Sequence, residues 1–175
     1  MYILTSNLHK ISEYRKFGIE AIHGPDIREV LGTIDEVITY KIMSAPPNTL
    51  VEDTVLEIGG QEVVDTKYKL KEIRIQENVA WVTSLGYHDT TRLFVYRGTT
   101  KGKIVVPVIE HPTSFEPCFV PAGATITLYE LKQLGMKDQF SARRLAILAY
   151  RQQKPHFIKE INSIPRWEGR YQNEL

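Results

Sequence analysis

A single cysteine, Cys118, stands in 175 residues. No intramolecular disulfide can form, which excludes the small disulfide-framework scaffolds and fits a reducing compartment. Cys118 has no base partner nearby in the sequence and reads as a small buried apolar side chain. Neither sign of charge prevails: 22 basic and 21 acidic residues leave a net charge of +1. No overall field therefore draws the chain to a nucleic-acid polymer or an anionic membrane. No apolar run approaches the roughly 18 residues of a membrane span, and no basic-then-apolar leader precedes the apolar run that starts at Tyr2. A cytoplasmic protein without a membrane partner is expected. The five histidines, at 9, 23, 88, 111 and 156, lack metal-ligand spacing, which argues against a zinc centre. Internal repeats and low-complexity segments are also missing. What remains is an ordinary globular composition, 42% hydrophobic and 25% charged. One domain over 1–175 is expected at this length, able to bury roughly 70% of the surface of its unfolded chain.

Periodicity sets out the elements. Tyr2–Thr5 reads as a buried strand, Leu8–Phe17 as a helix closed by Gly18, and Ile19–His23 as a short strand before the turn Gly24-Pro25-Asp26. Thr33 and Glu36 have capping-box spacing, and the helix they open carries Ile34, Val37, Ile38 and Ile42 on one face until Pro46-Pro47. Leu50-Val51 is a central strand that should end at Glu52-Asp53. Val55–Ile58 and Glu62–Val64 flank Gly59-Gly60-Gln61 as a hairpin. A helix capped by Asp65 or Thr66 should run through Ile73. Val79–Leu85, Leu93–Tyr96 and Lys103–Val108 are strand-like, with Gly98–Gly102 joining the last two. Helices follow over Leu128–Leu134 and Phe140–Tyr150, the second capped by Asp138. The tail 154–175 is polar, broken by Pro155 and Pro165, and has no evident place. Helices alternating with strands, then consecutive strands, indicate a mixed α/β sheet.

Two clusters carry the chemistry. Thr5-Ser6-Asn7-Leu8-His9-Lys10 lies at a strand-to-helix junction, where helix amides favour anions and Lys10 adds charge. Ser6 or Asn7 capping the helix is the plain alternative. Glu52-Asp53 offers hard oxygen ligands of the kind Mg²⁺ takes together with substrate phosphates; a solvated turn is the plain alternative. Glu29 is a candidate third carboxylate. Together these groups can hold a phosphate chain and a divalent cation, which points to nucleotide hydrolysis. Around a helix start, Lys137, Ser141 and Arg143 can face a base or phosphates, or simply a solvated helix face. Phe115 and Phe119 bracket Glu116-Pro117-Cys118 and can stack on a base or pack in the core.

The order of these pieces resembles the inosine triphosphate pyrophosphatase (Ham1-like) family. Thr5-Ser6-Asn7-Leu8-His9-Lys10 is similar to its T-G-N-x-x-K. Glu29 through Gly32-Thr33, Glu36 and Lys41 is similar to E-x-x-G-T-x-x-E-x-x-x-x-K, and Val51-Glu52-Asp53-Thr54-x-Leu56 to V-[DE]-D-[TS]-x-L. Tyr96-Arg97-Gly98 with Gly102-Lys103-Ile104 through Pro107 resembles the F-x-G…G-x-I-x-x-P hairpin. Phe115-Glu116-Pro117 through Pro121, Thr127–Leu131 and Ser141-Ala142-Arg143 resemble [WY]-D-P-x-F-x-P, T-[FY]-A-E-M and S-H-R. The resemblance implies an elongated α/β fold with a long mixed sheet, two lobes and a cleft, and a homodimer. It implies Mg²⁺-dependent conversion of a nucleoside triphosphate to the monophosphate and pyrophosphate. Carried over by position, Thr5, Ser6, Asn7, Lys10 and Lys41 bind phosphates. Glu29 and Asp53 hold the metal, and Asp53 with Glu52 activates water. Phe115, Glu116, Lys137, Ser141 and Arg143 face the base.

The departures fall in the base-reading blocks. Thr113 stands at the family's stacking Phe, Glu116 at its Asp, Ala142 at its His, and Gly59-Gly60-Gln61-Glu62 at its Gly-Pro-Gly stretch. Inosine- or xanthosine-type triphosphates are the expected substrates, with a pyrimidine or modified deoxynucleoside triphosphate as the alternative. Two rival readings remain: a septum-inhibitor (Maf-like) pyrophosphatase of related fold, and a nucleotide-binding homologue without turnover.

Overall fold

A computed structural model describes residues 1–174. Its spine is a hairpin of two 13-residue strands, β5 (Gln76–His88) and β6 (Arg92–Ile104), each about 40 Å long at roughly 3.4 Å per residue. They pair antiparallel from Gln76↔Ile104 to His88↔Leu93, with one irregularity between Gln76 and Val79. β3 (Val51–Ile58) lies antiparallel on the other edge of β5, and β4 (Gln61–Val63) on β3. β7 (Phe119–Pro121) pairs with one end of β6, and β8 (Phe157–Glu160) with the other. β1 (Ile3–Thr5) and β2 (Ala21–His23) form a separate parallel pair. Ile3 bridges to Leu50 in parallel, which splices this pair onto the head of β3 and makes the arrangement mixed, as expected.

Strand alternation decides which helix each residue meets. On one face, Leu50, Leu56, Trp81 and Leu85 pack against α1 (Leu8–Lys16), α4 (Leu128–Gln133) and α5 (Ala142–Arg151). On the other, Val51, Val55 and Val82 pack against α2 (Ile34–Met43). Around Trp81, Phe119 and Leu128 lies the core of one lobe; around Ile3, Tyr14, Leu50 and Ile147 lies that of the other. α2 begins as its sequence signals: Thr33 Oγ1 accepts from the Glu36 amide at 3.2 Å, and Glu36 Oε2 from the Thr33 amide at 2.8 Å.

Several boundaries differ from the sequence reading. Glu52-Asp53 does not end a strand; β3 runs straight through both acids, which are buried. Gly98 to Gly102 is not a connector but the interior of β6. A Cβ on Gly98 would lie 2.0 Å from the Ala142 carbonyl oxygen, so this glycine permits α5 to lie on the sheet rather than letting the chain turn. The helix expected over Thr66–Ile73 is only α3 (Thr66–Lys69) followed by a 3₁₀ turn at Leu70–Glu72, and Asp65 makes no capping bond. α5 starts at Ala142 with Ser141, not Asp138, as its cap: Ser141 Oγ accepts from the Arg144 amide at 3.1 Å. The tail has a definite place. It contributes β8 and then returns to bridge Tyr171 to Val30. The Gly59-Gly60 hairpin is as read, with both glycines at positive φ, +58° and +81°.

Candidate active site

Glu52 and Asp53 are adjacent on β3, so their side chains leave on opposite faces. Glu52 points to the α1/α5 side, where its side chain is fully enclosed. It meets Lys10 Nζ at 3.1 Å and Arg143 Nε at 2.9 Å and accepts the Thr54 hydroxyl at 2.5 Å. Two cations and a hydroxyl satisfy the carboxylate. The Tyr14 phenol beneath them is held protonated, by burial first and then by the Glu52 charge; its hydroxyl has no partner of good geometry.

Asp53 points to the α2 side, where Lys41 Nζ lies 3.7 Å away and also binds Glu29 at 2.6 Å; Lys67 meets Glu29 at 3.0 Å. Glu29 and Asp53 therefore compete for one buried cation. Burial raises Glu29, but Lys41 and Lys67 outweigh it and bring the carboxyl to about 2. For Asp53, burial dominates, Lys41 opposes it, and the Glu29 charge adds to it, pushing the carboxyl up to about 7. Burial lowers Lys41, but Asp53 and then Glu29 raise it further.

A cavity of about 630 Å³ opens above Asp53, within the size range of ligand pockets. Of the residues expected from the sequence, Thr5, Ser6, Asn7, Lys10, Glu29, Lys41, Asp53, Phe115, Glu116, Lys137 and Arg143 line it; Glu52 and Ser141 do not. Asn7 caps α1, its Oδ1 accepting from the amides of His9 at 2.9 Å and Lys10 at 3.3 Å. The capping alternative thus holds for Asn7, and the same cap turns the helix N-terminus and Lys10 toward the cavity. Ser6 donates to Asp26 at 3.2 Å across the mouth.

The opposite wall is an ion-pair lattice. Lys137, 5% exposed, binds both Glu13, at 2.5 Å, and Glu116. Arg143, also 5% exposed, binds Glu13 and Glu52. Phe115 sits edge-on to Trp81 at 5.7 Å and to Phe119 at 5.8 Å, giving this end an apolar backing. Ala142 is fully buried, in contact with the Trp81 core. Thr113 lines the cavity.

Glu13 and Lys67 were missed by sequence reasoning. Glu13 had a usable signal, since on a helix it shares a face with Lys10. Lys67 had none, because its short helix gives no period to read.

Among the described residues, no cluster of three His, Cys, Asp or Glu side chains suits a metal by itself. Glu29 and Asp53 around Lys41 instead give two hard carboxylates. That donor set fits a cation which keeps its waters and arrives with phosphates, not a closed protein cage.

The fold and cavity define a cleft α/β protein whose strand-to-helix junction faces two carboxylates. The Ham1 family profile matches residues 59–153, more than half of the chain, and the chain belongs to the Ham1 family. The structure of a HAM1 protein from Coxiella burnetii superposes with a TM-score of 0.62 at 17% identity, covering 87% of this chain and 98% of that one. At that identity the likeness is one of fold. No curated protein matches the sequence. No described helix is long and apolar enough to cross a membrane.

Proposed function

We propose that this cavity hydrolyses a nucleoside triphosphate to the monophosphate and pyrophosphate. One observation carries the reading. A helix N-terminus with Lys10 faces Asp53, Glu29, Lys41 and Lys67 across a single cavity, so phosphate binding and water activation share one space. A water attacks the α-phosphorus and loses its proton to Asp53. The new P–O bond forms as the bond from the α-phosphorus to the bridging oxygen breaks, and pyrophosphate leaves. Burial and the Glu29 charge raise the Asp53 carboxyl, which strengthens it as a proton acceptor. Lys10, Lys41, Lys67 and the α1 amides take up the charge of the leaving pyrophosphate, since phosphoryl chemistry is largely positioning and neutralisation.

Glu29 and Asp53 are the residues that would hold Mg²⁺. When bound, the cation would supply Lewis acidity and charge neutralisation for the phosphates. Glu52 acts through Lys10 and Arg143, fixing both cations. Phe115, Glu116, Lys137 and Arg143 form the base end. Ser141 supports that end by capping the helix that carries Arg143. The whole chain acts as one unit, and a homodimer in the cytoplasm belongs to the same reading.

Inosine or xanthosine triphosphate is the expected substrate class. A second reading, a pyrimidine or modified deoxynucleoside triphosphate, is favoured by two positions. Ala142 is buried and cannot reach a base, and Thr113 offers no ring to stack. Pyrophosphate release from a panel of triphosphates with Mg²⁺, on wild type and Asp53→Asn, decides between them. Release from inosine or xanthosine triphosphate that is lost in the variant supports the first reading, and release from pyrimidines alone supports the second. Nucleotide binding with no release from any triphosphate would leave a binding protein.

A further inference from the structure

The chain beyond residue 153 lies outside the span that matches the Ham1 family, yet it reaches the cavity from behind. After β8 the tail crosses α2 and lies against the segment that carries Glu29. The Leu31 amide donates to the Arg170 carbonyl at 2.9 Å, and the Gln172 amide donates to the Glu29 carbonyl at 2.8 Å. Gln172 is 7% exposed, and its Nε2 donates to the Val30 carbonyl at 3.2 Å. The Arg28 guanidinium stacks on Tyr171 at 3.9 Å and pairs with Glu174. Upstream in the tail, Trp167 packs on Tyr40 with ring centroids 5.1 Å apart, and the Tyr40 hydroxyl donates to the Pro165 carbonyl at 2.8 Å. Tyr40 directly precedes Lys41, the cation shared by Glu29 and Asp53.

Residues 25–32 include no helix and no strand longer than a single bridge. Among the described residues, every backbone hydrogen bond this segment makes goes to the tail. Val30 packs into the α2 core and the Glu29 side chain pairs with Lys41 and Lys67, but an irregular backbone with no other hydrogen bonds has no intrinsic reason to start Glu29 from a fixed point. The tail supplies that reason.

We propose that residues 164–174 form a positioning strap. It fixes the Glu29 backbone directly and the base of Lys41 through Tyr40, so that the carboxylate is preset for a divalent cation and its phosphates. This rests on the assignment of Glu29 to the cation made above. Groups that orient a metal ligand typically alter metal affinity by about 10- to 100-fold when removed.

The test uses the full chain with Gln172→Pro, which removes both donors to Glu29 and Val30, beside Gln172→Ala, which keeps the backbone donor. Glu29→Gln is the control. Mn²⁺ binding is read by electron paramagnetic resonance, and amide hydrogen exchange is followed over 28–32. Pyrophosphate release is titrated with Mg²⁺ at saturating nucleotide. Gln172→Pro is expected to weaken Mn²⁺ about 10-fold, to speed exchange over 28–32, and to raise the Mg²⁺ needed for half-maximal rate. High Mg²⁺ should restore the rate, and Gln172→Ala should stay near wild type. If Gln172→Pro is unfolded at the assay temperature, Tyr171→Ala carries the same comparison. Mn²⁺ affinity within twofold of wild type in the strap variant, with Glu29→Gln weakened, overturns the strap alone. Unchanged affinity in Glu29→Gln removes the cation assignment, and the strap's role with it.

Discussion

Glu52 and Asp53 are neighbours in the chain and opposites in the fold. On the α1/α5 side, Glu52 meets Lys10, a hydroxyl and an arginine that it shares with Glu13, all at hydrogen-bonding distance. On the α2 side, Asp53 has a distant share of one lysine and a second carboxylate competing for it. The first arrangement is electrostatically complete, and completeness suits a hinge point that locks Lys10 and Arg143. The second leaves Asp53 without a close cation of its own, since Lys41 and Lys67 both lie nearer Glu29, and that is a place a proton or a cation can fill. Two adjacent acids of β3 are thus given different chemistry by the parity of the strand.

The largest expected effect tests the chemical half of this contrast. Asp53→Asn should lower pyrophosphate release by about 10²–10⁴-fold, the usual range for loss of a general base, with the fold intact by circular dichroism. Glu52→Ala should act the other way round. It strands Lys10 and leaves Arg143 with Glu13 alone, and breaking a buried pair from one side costs about 3–5 kcal/mol, read as a loss of denaturant midpoint. A Glu52 variant of wild-type stability with turnover as low as that of Asp53→Asn would erase the distinction.

The pH dependence of stability sharpens it further. Asp53 sits near 7 in the folded chain against about 3.9 when unfolded. Between those values the folded state holds a proton that the unfolded state lacks, so stability falls as pH rises from about 4 to about 7. Asp53→Asn removes that penalty. Without metal, the variant should be more stable than wild type at pH 8, by at most about 4 kcal/mol for a shift of about three pK units at about 1.4 kcal/mol each. The gap should close near pH 4. Thermal melts at the two pH values measure it, and an equal gap at both would mean that Asp53 is not strained. Smallest of all, Lys67→Ala removes a cation whose side chain is 48% exposed. KM for the triphosphate should rise a few-fold with kcat nearly unchanged; a kcat effect as large as that of Asp53→Asn would place Lys67 in the chemical step.

Much of this was legible in order along the chain. Thr33 and Glu36 announced α2 because a capping box is a local bargain between neighbours. Gly59-Gly60 announced a hairpin because few other residues tolerate two consecutive positive φ angles. Glu29, Lys41, Asp53, Asn7 and Lys10 could be nominated from motif spacing, and they do line one cavity. Gly98 was misread as a connector, because a glycine needed for a helix resting on a strand looks the same in sequence as one needed for a turn. The partners of Glu13 and of the strap were invisible for a related reason. Lys137, Arg143 and the Glu29 segment lie more than a hundred residues from the groups they meet.

By itself, then, the sequence determined most element types, the caps at Asn7 and Thr33, the likeness to the Ham1 family and the candidate acids and cations, since each rests on interactions a few residues long. Only the tertiary structure decided which acid is satisfied and which is strained, that Ser141 caps a helix instead of lining the cavity, and that the tail braces the Glu29 segment. Those outcomes depend on burial and on the distance between charges, and neither exists until the strands and helices have packed.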